Sequence, residues 1–306
     1  MKPTNQPTVP QRHLWKAFLH QSGTIPALVI LALVLGSGMF GLALSDPGNS
    51  SSFESSFAPP SVSHWLGTDI HGRDVVARLL RGTRLSLLVG ALGAILSLSI
   101  GVLWGAVAGY AGGRWDYMMM RAVDILYSLP NVVFVMIAMV VVEPPIHGWI
   151  AARIPPLLPW SRELLLSGLL GAISWLNTAR IIRGTVQSLR SEAFIEASRA
   201  LGASGLRILA THIIPNIAGL AIACAMLAIP SVILYESFLS FLGLGVKPPA
   251  ASLGTLIADG AAQLNPLRMR WWLLAGPSSV LAASLWSLHR LGISLCEAME
   301  NRKKHL

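Results

Sequence analysis

Uncharged apolar runs recur along the chain, separated by shorter stretches rich in polar residues, glycine or proline. A run of about 20 apolar residues is long enough to cross the hydrocarbon of a bilayer as an α-helix. The cores of six such runs cover residues 25–44, 85–113, 125–142, 164–179, 217–242 and 271–288. The fourth must begin near Leu157 or bury Glu163 to reach that length. The pattern predicts an all-α integral membrane protein with six transmembrane helices.

The polar stretches divide the predicted protein into five parts. They are a cytoplasmic N-terminal tail (1–24), a first transmembrane helix (25–45), an extracytoplasmic loop carrying an amphipathic helix on the membrane surface (46–83), a five-helix core (84–290) and a cytoplasmic C-terminal tail (291–306). With this topology 14 Lys and Arg residues fall inside and nine outside, the sign that the positive-inside rule requires. A cleaved signal peptide is the alternative for the first run, because residues 43–45 resemble a cleavage site.

Glycine and proline predict local features of the core. Glycines recur every four residues on one helical face, where a second helix can approach closely. These glycines are Gly101, Gly105, Gly109 and Gly113. Pro130 is expected to kink the third span, and the five prolines between residues 143 and 162 to form an outer loop.

The longest polar interruption of the core is a predicted cytoplasmic loop, residues 184–216. Its second part, residues 191–216, has the pattern of two short helices joined by a hinge, and we name it the coupling segment. Ser191 can cap the first helix, and Glu192 then lies favourably at its positive end. Gly202 and Gly205 interrupt the helical run. Pro215 is expected to end the second helix.

The first helix of the coupling segment has two different faces at helical spacing. The charged face carries Glu192, Glu196 and Arg199. The other face carries Phe194, Ala197, Ser198 and Leu201. A helix that offers small residues allows the surface of another protein to come close, whereas a simple solvated loop needs no apolar stripe.

Two carboxylates accompany the predicted spans, Asp124 near the inner end of the third and Glu236 in the outer third of the fifth. A charge at the centre of a bilayer costs about 2.5–3.5 kcal/mol, so an interfacial or paired position is expected for Asp124. We favour roles in packing or in gating the pathway for both acids. A proton relay is the alternative.

Composition agrees with a membrane protein, since 53% of residues are hydrophobic and only 12% are charged, about half the share typical of soluble domains. The formal net charge is +9. The basic residues flank apolar runs and form no patch with interleaved aromatic residues. Nucleic acid is therefore not an expected partner, whereas membrane lipid is.

The chain contains no sequence motif of a catalytic or phosphate-binding site. A Walker-type phosphate loop is absent, because no glycine precedes a lysine. We therefore predict that the chain is not an enzyme, binds no cofactor of its own and has no catalytic residues. Cys224 and Cys296 form no CxxC motif, and no disulfide is expected.

Four metal-capable side chains cluster in the predicted outer loop. They are His64, Asp69, His71 and Asp74. A metal-handling role is conceivable, but capping or surface roles are favoured, and no metal site is predicted.

Three stretches carry a family resemblance, residues 64–87, 196–216 and 238–249. Together they resemble the peptide/nickel class of binding-protein-dependent ABC-importer permeases, specifically the second ("C"-type) permease of di- and oligopeptide importers. The coupling segment is similar to the "EAA" loop of these permeases. The resemblance implies the type I importer fold in a bacterial inner membrane, with a second homologous permease subunit. It also implies an extracytoplasmic solute-binding protein and two cytoplasmic ATP-binding subunits, which hold the ATP and Mg.

The resemblance further implies that the helix at 192–201 is seated in a groove on an ATP-binding subunit. We hypothesise that this helix moves as a rigid body, with Glu196 as a polar anchor and Ala197, Ser198 and Gly202 as its close-packed face. An ion-coupled secondary transporter or channel is the main alternative, with Asp124 and Glu236 as its working groups. A membrane-embedded enzyme is a weaker one, because the sequence offers no nucleophile–base pair.

Overall fold

The computed structural model describes residue 21 and residues 23–40, 55–265 and 268–304. The predicted N-terminal tail, except residues 21, 23 and 24, and residues 41–54 lie outside the described residues. Ten α-helices are described: α1 (Thr24–Phe40), α2 (Val75–Ala111), α3 (Gly113–Tyr127), α4 (Asn131–Arg153), α5 (Ser161–Arg190), α6 (Ala193–Ala200), α7 (Gly205–Ile208), α8 (Ile214–Phe241), α9 (Leu253–Ala261) and α10 (Trp271–Lys304).

Short irregular elements connect some of these helices. A 3-10 helix, Pro155–Trp160, precedes α5, and a π-helical turn, Leu209–Ile213, joins α7 to α8. The strands β1 (Leu264–Asn265) and β2 (Arg268–Met269) pair antiparallel between α9 and α10. The predicted all-α membrane architecture is confirmed, because five helical stretches are long and apolar enough to span a bilayer and α1 is a shorter apolar helix.

The parallel helices α2 and α5 form the centre of the bundle, and glycines bring them together. A Cβ atom on Gly101 would lie 2.7 Å from Thr178 Cβ, and one on Gly105 only 2.5 Å from the carbonyl oxygen of Ala179. Gly109 is equally close to the backbone of α5. Three of the four glycines therefore have the predicted packing role. Gly113 does not, because it lies beyond the end of α2 and faces open space.

The predicted amphipathic helix on the membrane surface is wrong. Helix α2 begins at Val75, where Asp74 caps it, and continues without a break for 37 residues, so its first turns belong to a membrane-spanning helix. The arginine responsible for much of the amphipathic pattern, Arg78, is mostly buried and bonds the carboxylates of Asp69 and Asp259. Because Arg78 is paired in this way, its charge does not require the helix to lie on the membrane surface.

The predictions for proline in the third span are also wrong. Pro130 does not kink a helix but stands between α3 and α4, at the N-cap of α4. Pro144 and Pro145 lie inside α4, which continues to Arg153 where an outer loop was expected. Proline is tolerated inside membrane helices because local adjustments and neighbours satisfy the freed carbonyl groups.

The fourth span reaches its length partly by burying a carboxyl group. Helix α5 begins at Ser161, and Glu163 in its first turn is only 8% exposed. The helical stretch also begins at Pro155, before Leu157, so the structure agrees with both alternatives that the sequence left open.

Candidate functional site

The coupling segment folds into the two short helices predicted, α6 and α7, with different caps from those expected. Ser191 closes the end of α5, and Glu192 occupies the N-cap of α6 without a side-chain capping bond. Ser204 caps α7, and its hydroxyl accepts a hydrogen bond from the Arg207 amide at 3.4 Å.

Gly202 terminates α6 in a left-handed conformation, with φ of +82°. The Gly202 amide donates to the carbonyl of Arg199 at 2.9 Å, and the Ala203 amide donates to that of Ser198 at 3.1 Å. These two bonds define a Schellman motif, which satisfies the free carbonyls at a helix end. The hinge between the two helices is therefore a defined hydrogen-bonded structure.

The prediction that Pro215 ends the second helix is wrong. Pro215 lies in the first turn of α8, and the helical path continues from Gly205 through the π-helical turn to Phe241. The irregular turn directly before Pro215 provides the widened geometry often found where a helix is interrupted. The coupling segment therefore runs directly into a membrane-spanning helix.

Three isoleucines anchor the coupling segment to the bundle. Ile195 in α6, Ile208 in α7 and Ile213 in the π-helical turn are all fully buried. They belong to one apolar cluster that also contains residues of α2, α5 and α8. Of the three, only Ile213 was expected from the sequence, as part of an apolar stripe, because isoleucine at helical spacing is equally typical of a lipid-facing surface.

Tyr110, at the end of α2, lies between the two halves of the coupling segment. The Arg199 guanidinium lies over its ring, 5.2 Å from the centroid. A Cβ atom on Gly205 would be 3.0 Å from Tyr110 Cε1, so a larger residue would press on the ring.

The Ser198 hydroxyl donates to the carbonyl of Phe194 at 2.8 Å and lies 3.4 Å from His212 Nε2.

The opposite side of the segment carries apolar side chains that are exposed. Leu201 is 89% exposed, Leu206 81% and Phe194 42%. We name these three side chains, together with the exposed Ala197, the docking face. Glu192, Glu196 and Arg199 are also exposed. Large apolar groups together with charges of both signs are typical of a surface that another protein covers.

Asp124 occupies the paired position that the sequence predicted. Its Oδ1 accepts a hydrogen bond from Arg180 Nη2 at 2.7 Å, and both side chains are substantially exposed. The Arg180 guanidinium also lies 4.3 Å from the centroid of the Tyr127 ring. Asp124 therefore joins α3 to α5.

A stronger link between α3 and α5 was not foreseen. Asp116 is only 7% exposed, and its two carboxylate oxygens accept from Arg183 Nε at 2.5 Å and Nη2 at 2.6 Å. Gln187 Nε2 donates to the same carboxylate at 2.9 Å. The one-turn spacing of Arg183 and Gln187 was an available signal, but it does not identify the partner on another helix.

Glu236 lies at the other end of α8 from the coupling segment and is fully buried. Its carboxylate accepts hydrogen bonds from Ser86 and Ser240, each at 2.7 Å. In the described part of the chain, Glu236 therefore interacts with neutral hydroxyl donors, not with a basic side chain, and it is not brought close to Asp124.

The stretch of chain immediately before α2 has polar side chains in structural roles. Asp74 Oδ1 accepts from the Ala77 amide at 2.9 Å, and Asp74 Oδ2 lies 2.8 Å from His64 Nδ1. Burial tends to raise the pKa of Asp69, but the Arg73 amide and the positive charges of Arg78 and Arg73 outweigh it, so the pKa lies below its ordinary value. Among the described residues no group of three or more His, Cys, Asp or Glu side chains could hold a metal ion.

A bundle with five helical stretches long and apolar enough to span a bilayer defines a multi-pass membrane protein. Residues 101–305 match the family described as binding-protein-dependent transport system inner membrane component. The chain belongs to this family, which comprises the permeases of ABC importers, and is a multi-pass inner membrane protein.

Curated relatives cover most of the chain. It is 35% identical to the oligopeptide transport system permease protein OppC of Haemophilus influenzae over 96% of this chain and 90% of the relative. It is 34% identical to OppC of Escherichia coli over 96% and 93%. It is 38% identical to the dipeptide transport system permease protein DppC of Bacillus subtilis over 79% and 70%.

Proposed function

We propose that this chain is one of two homologous permease subunits of an ATP-driven importer and that its docking face binds a cytoplasmic ATP-binding subunit. The observation that carries the proposal is the exposure of Leu201 and Leu206 on a segment whose opposite side is anchored by buried isoleucines. The exposed leucines give a partner an apolar surface to bind. The buried isoleucines attach the segment to the bundle, so that a partner that moves the segment also moves the bundle.

The anchoring contacts support a mechanical role. Ile195 buries one side of α6, and the Schellman motif at Gly202 fixes the geometry at its end. Because the path from Gly205 to Phe241 is helical throughout, displacement of the coupling segment is transmitted to α8. ATP binding can shift the protein between two states only if the partner contacts the segment differently in each.

Membership of the family and the names of the relatives support the other partners that we propose. ATP and Mg are held by the ATP-binding subunits, and an extracytoplasmic solute-binding protein delivers the substrate. The substrate is a peptide, as for the relatives named for oligopeptide and dipeptide transport. Both termini of the chain are cytoplasmic, on the same side as the coupling segment.

The contacts of the two acids favour this proposal over an ion-coupled carrier. In the ion-coupled alternative, one of these carboxylates would bind and release an ion during each cycle. Glu236 is fully buried and bonded to serine hydroxyls, and Asp124 is paired with Arg180. Both arrangements are typical of carboxylates that hold helices together.

Charge placed on the docking face tests the proposal. We expect Leu201→Glu and Leu206→Glu to reduce co-purification of an ATP-hydrolysing subunit at least tenfold, because a buried unpaired carboxylate opposes docking. The matched control is Val62→Glu, since Val62 lies in the polar stretch before α2 and is 96% exposed. Undiminished co-purification in both leucine variants, or an equal loss with Val62→Glu, would contradict the proposal.

Reconstitution tests the substrate class. The purified complex in proteoliposomes, supplied with its solute-binding protein, should take up a labelled di- or oligopeptide only when ATP is present on the cytoplasmic side. An ion gradient without ATP should give no uptake. Uptake driven by the gradient alone would support the ion-coupled alternative, and ATP-driven uptake of another solute but of no peptide would overturn the substrate assignment.

A further inference from the structure

The end of α8 remote from the coupling segment contains a carboxylate that solvent does not reach. Glu236 is fully buried, and the hydroxyls of Ser86 and Ser240 donate to its two oxygens at 2.7 Å each. Removing a carboxylate from water is costly unless hydrogen-bond donors replace the water. The two serines, one from α2 and one from α8, supply these donors.

Each serine also accepts a hydrogen bond from the backbone of the segment after α8. Ser240 Oγ accepts from the Val246 amide at 3.2 Å, and Ser86 Oγ accepts from the Leu253 amide at 3.1 Å. Two relays therefore run from the carboxylate through a hydroxyl to a backbone amide. We name residues 243–253, which follow α8 in the chain, the outer segment. The two relays hold this segment at two separate points, Val246 and Leu253.

The outer segment lies in close contact with α8, which makes its position sensitive to these bonds. A Cβ atom on Gly245 would lie 2.5 Å from Ser240 Cα, and one on Gly254, in the first turn of α9, would lie 2.5 Å from Ser237 Cα. Arg162 Nη2 donates to the Leu244 carbonyl at 3.0 Å from the α5 side. The outer segment is thus attached to α2, α5 and α8 through polar groups.

Helix α8 connects this region with the docking face. It starts at Ile214, directly after the π-helical turn of the coupling segment. At about 1.5 Å per residue, Glu236 lies roughly 33 Å along the helix from Ile214, about the thickness of the hydrocarbon core. One continuous helix therefore carries the coupling segment at one end and the anchor of the outer segment at the other.

We propose that Glu236 is a positioning residue, which attaches the outer segment and α9 to the far end of α8 so that movement of the coupling segment reaches the outer mouth of the pathway. The inference rests on the proposed function. Through the two serine relays, Glu236 makes the outer segment move with α8. Backbone hydrogen bonds still join residues 243–245 to the end of α8 when the carboxylate is removed, but without the two relays the rest of the outer segment follows α8 less closely.

A single reporter cysteine tests this inference in the assembled importer. Lys247→Cys, in a chain with Cys224→Ser and Cys296→Ser, places a thiol where the native side chain is 62% exposed. With Glu236 present, we expect its labelling rate by a membrane-impermeant maleimide to change at least threefold between the nucleotide-free complex and the complex trapped with ATP and vanadate. Glu236→Leu should make the two rates equal.

Glu236→Gln separates positioning from a general loss of folding. Its side-chain oxygen can accept one serine hydroxyl and its amide can donate to the other, so it should restore at least half of the nucleotide response. If Glu236→Leu fails to assemble, Ser240→Ala removes only one relay and should give an intermediate response. A full response in Glu236→Leu or Ser240→Ala, or none with Glu236 present, would overturn the inference.

A second reporter distinguishes failure of this inference from failure of the proposed function. Leu201→Cys on the docking face should cross-link to the ATP-binding subunit whether or not Glu236 is replaced. Absence of this cross-link with Glu236 intact contradicts the proposed function. A preserved cross-link together with an unaffected Lys247→Cys response contradicts only the role of Glu236.

Discussion

Gly202 shows how one residue defines the geometry of the coupling segment. Its φ of +82° is a conformation that other residues adopt at a cost of about 1–2 kcal/mol. Nothing lies within 4 Å of the position that a Cβ atom would occupy, so the constraint comes from the backbone and not from crowding. The sequence predicted a hinge there. The structure adds that the hinge has one defined hydrogen-bonded form.

We predict that Gly202→Ala lowers the free energy of unfolding of the purified protein by about 1–2 kcal/mol, because alanine is strained at positive φ. The matched control is Gly184→Ala, since Gly184 lies within α5 and its Cβ position is equally open. Alanine favours a helix over glycine, so this control should be neutral or stabilising. Denaturation in mixed micelles measures both, and equal effects would contradict the backbone argument.

A bulkier change at the same position addresses function. We predict that Gly202→Val reduces the number of substrate molecules imported per ATP hydrolysed severalfold while the protein still reaches the membrane. Parallel measurement of uptake and phosphate release in proteoliposomes gives this ratio. An unchanged ratio would contradict a coupling role for the hinge.

Asp69 provides a prediction about pH. Its pKa in the folded protein lies below the value of about 3.9 in an unfolded chain, so its ionised form stabilises the fold. That contribution is complete above the unfolded pKa and is lost as pH falls through the folded pKa. The melting temperature of Asp69→Asn should therefore lie below that of the unmodified protein at pH 7, and the gap should narrow below about pH 4. A gap independent of pH would contradict the charge-based explanation.

At the scale of elements, two ion pairs join α3 to α5 and should differ in strength. Asp116 is mostly buried and bonded to Arg183 and Gln187, whereas Asp124 and Arg180 are more exposed. We predict that Asp116→Ala destabilises the protein by about 3 kcal/mol, because it leaves Arg183 without its carboxylate. The control Asp124→Ala should cost less than about 1 kcal/mol. Equal losses in thermal unfolding would contradict this ranking.

Local sequence patterns predicted the helices better than their boundaries. The uncharged runs and the glycine spacing of α2 depend on residues close in sequence, and the structure agrees with both. Arg78 lies in the first turns of α2 and is paired, and one of its two partners, Asp259, is 181 positions away. Its other partner, Asp69, is only nine positions away, but spacing alone does not identify the pair, so the arginine pattern was interpreted as a surface helix.

The candidate site shows the same division between local and distant information. The sequence grouped Phe194, Ala197 and Leu201 on one face of α6, and exposure of these residues determines that this face points outward. The roles of Ile195 and Tyr110 depend on packing between distant elements. Glu236 was placed in the outer third of the fifth span, but its bond to Ser86 joins residues 150 positions apart and could not be predicted from spacing.

At the scale of the whole molecule, one helix, α8, connects the coupling segment with the Glu236 network. The coupling segment enters it at Ile214, and the Glu236 network lies near its other end. The account depends on the docking face meeting an ATP-binding subunit.

The most direct measurement is site-specific photo-cross-linking in intact cells. A photoreactive amino acid in place of Leu201 is predicted to form an adduct with the ATP-binding subunit, whereas the same group in place of Val62 should not. The adducts are identified by mass spectrometry. An adduct of position 201 with an extracytoplasmic protein, or no adduct with an ATP-hydrolysing subunit in an assembled and active importer, would contradict the account.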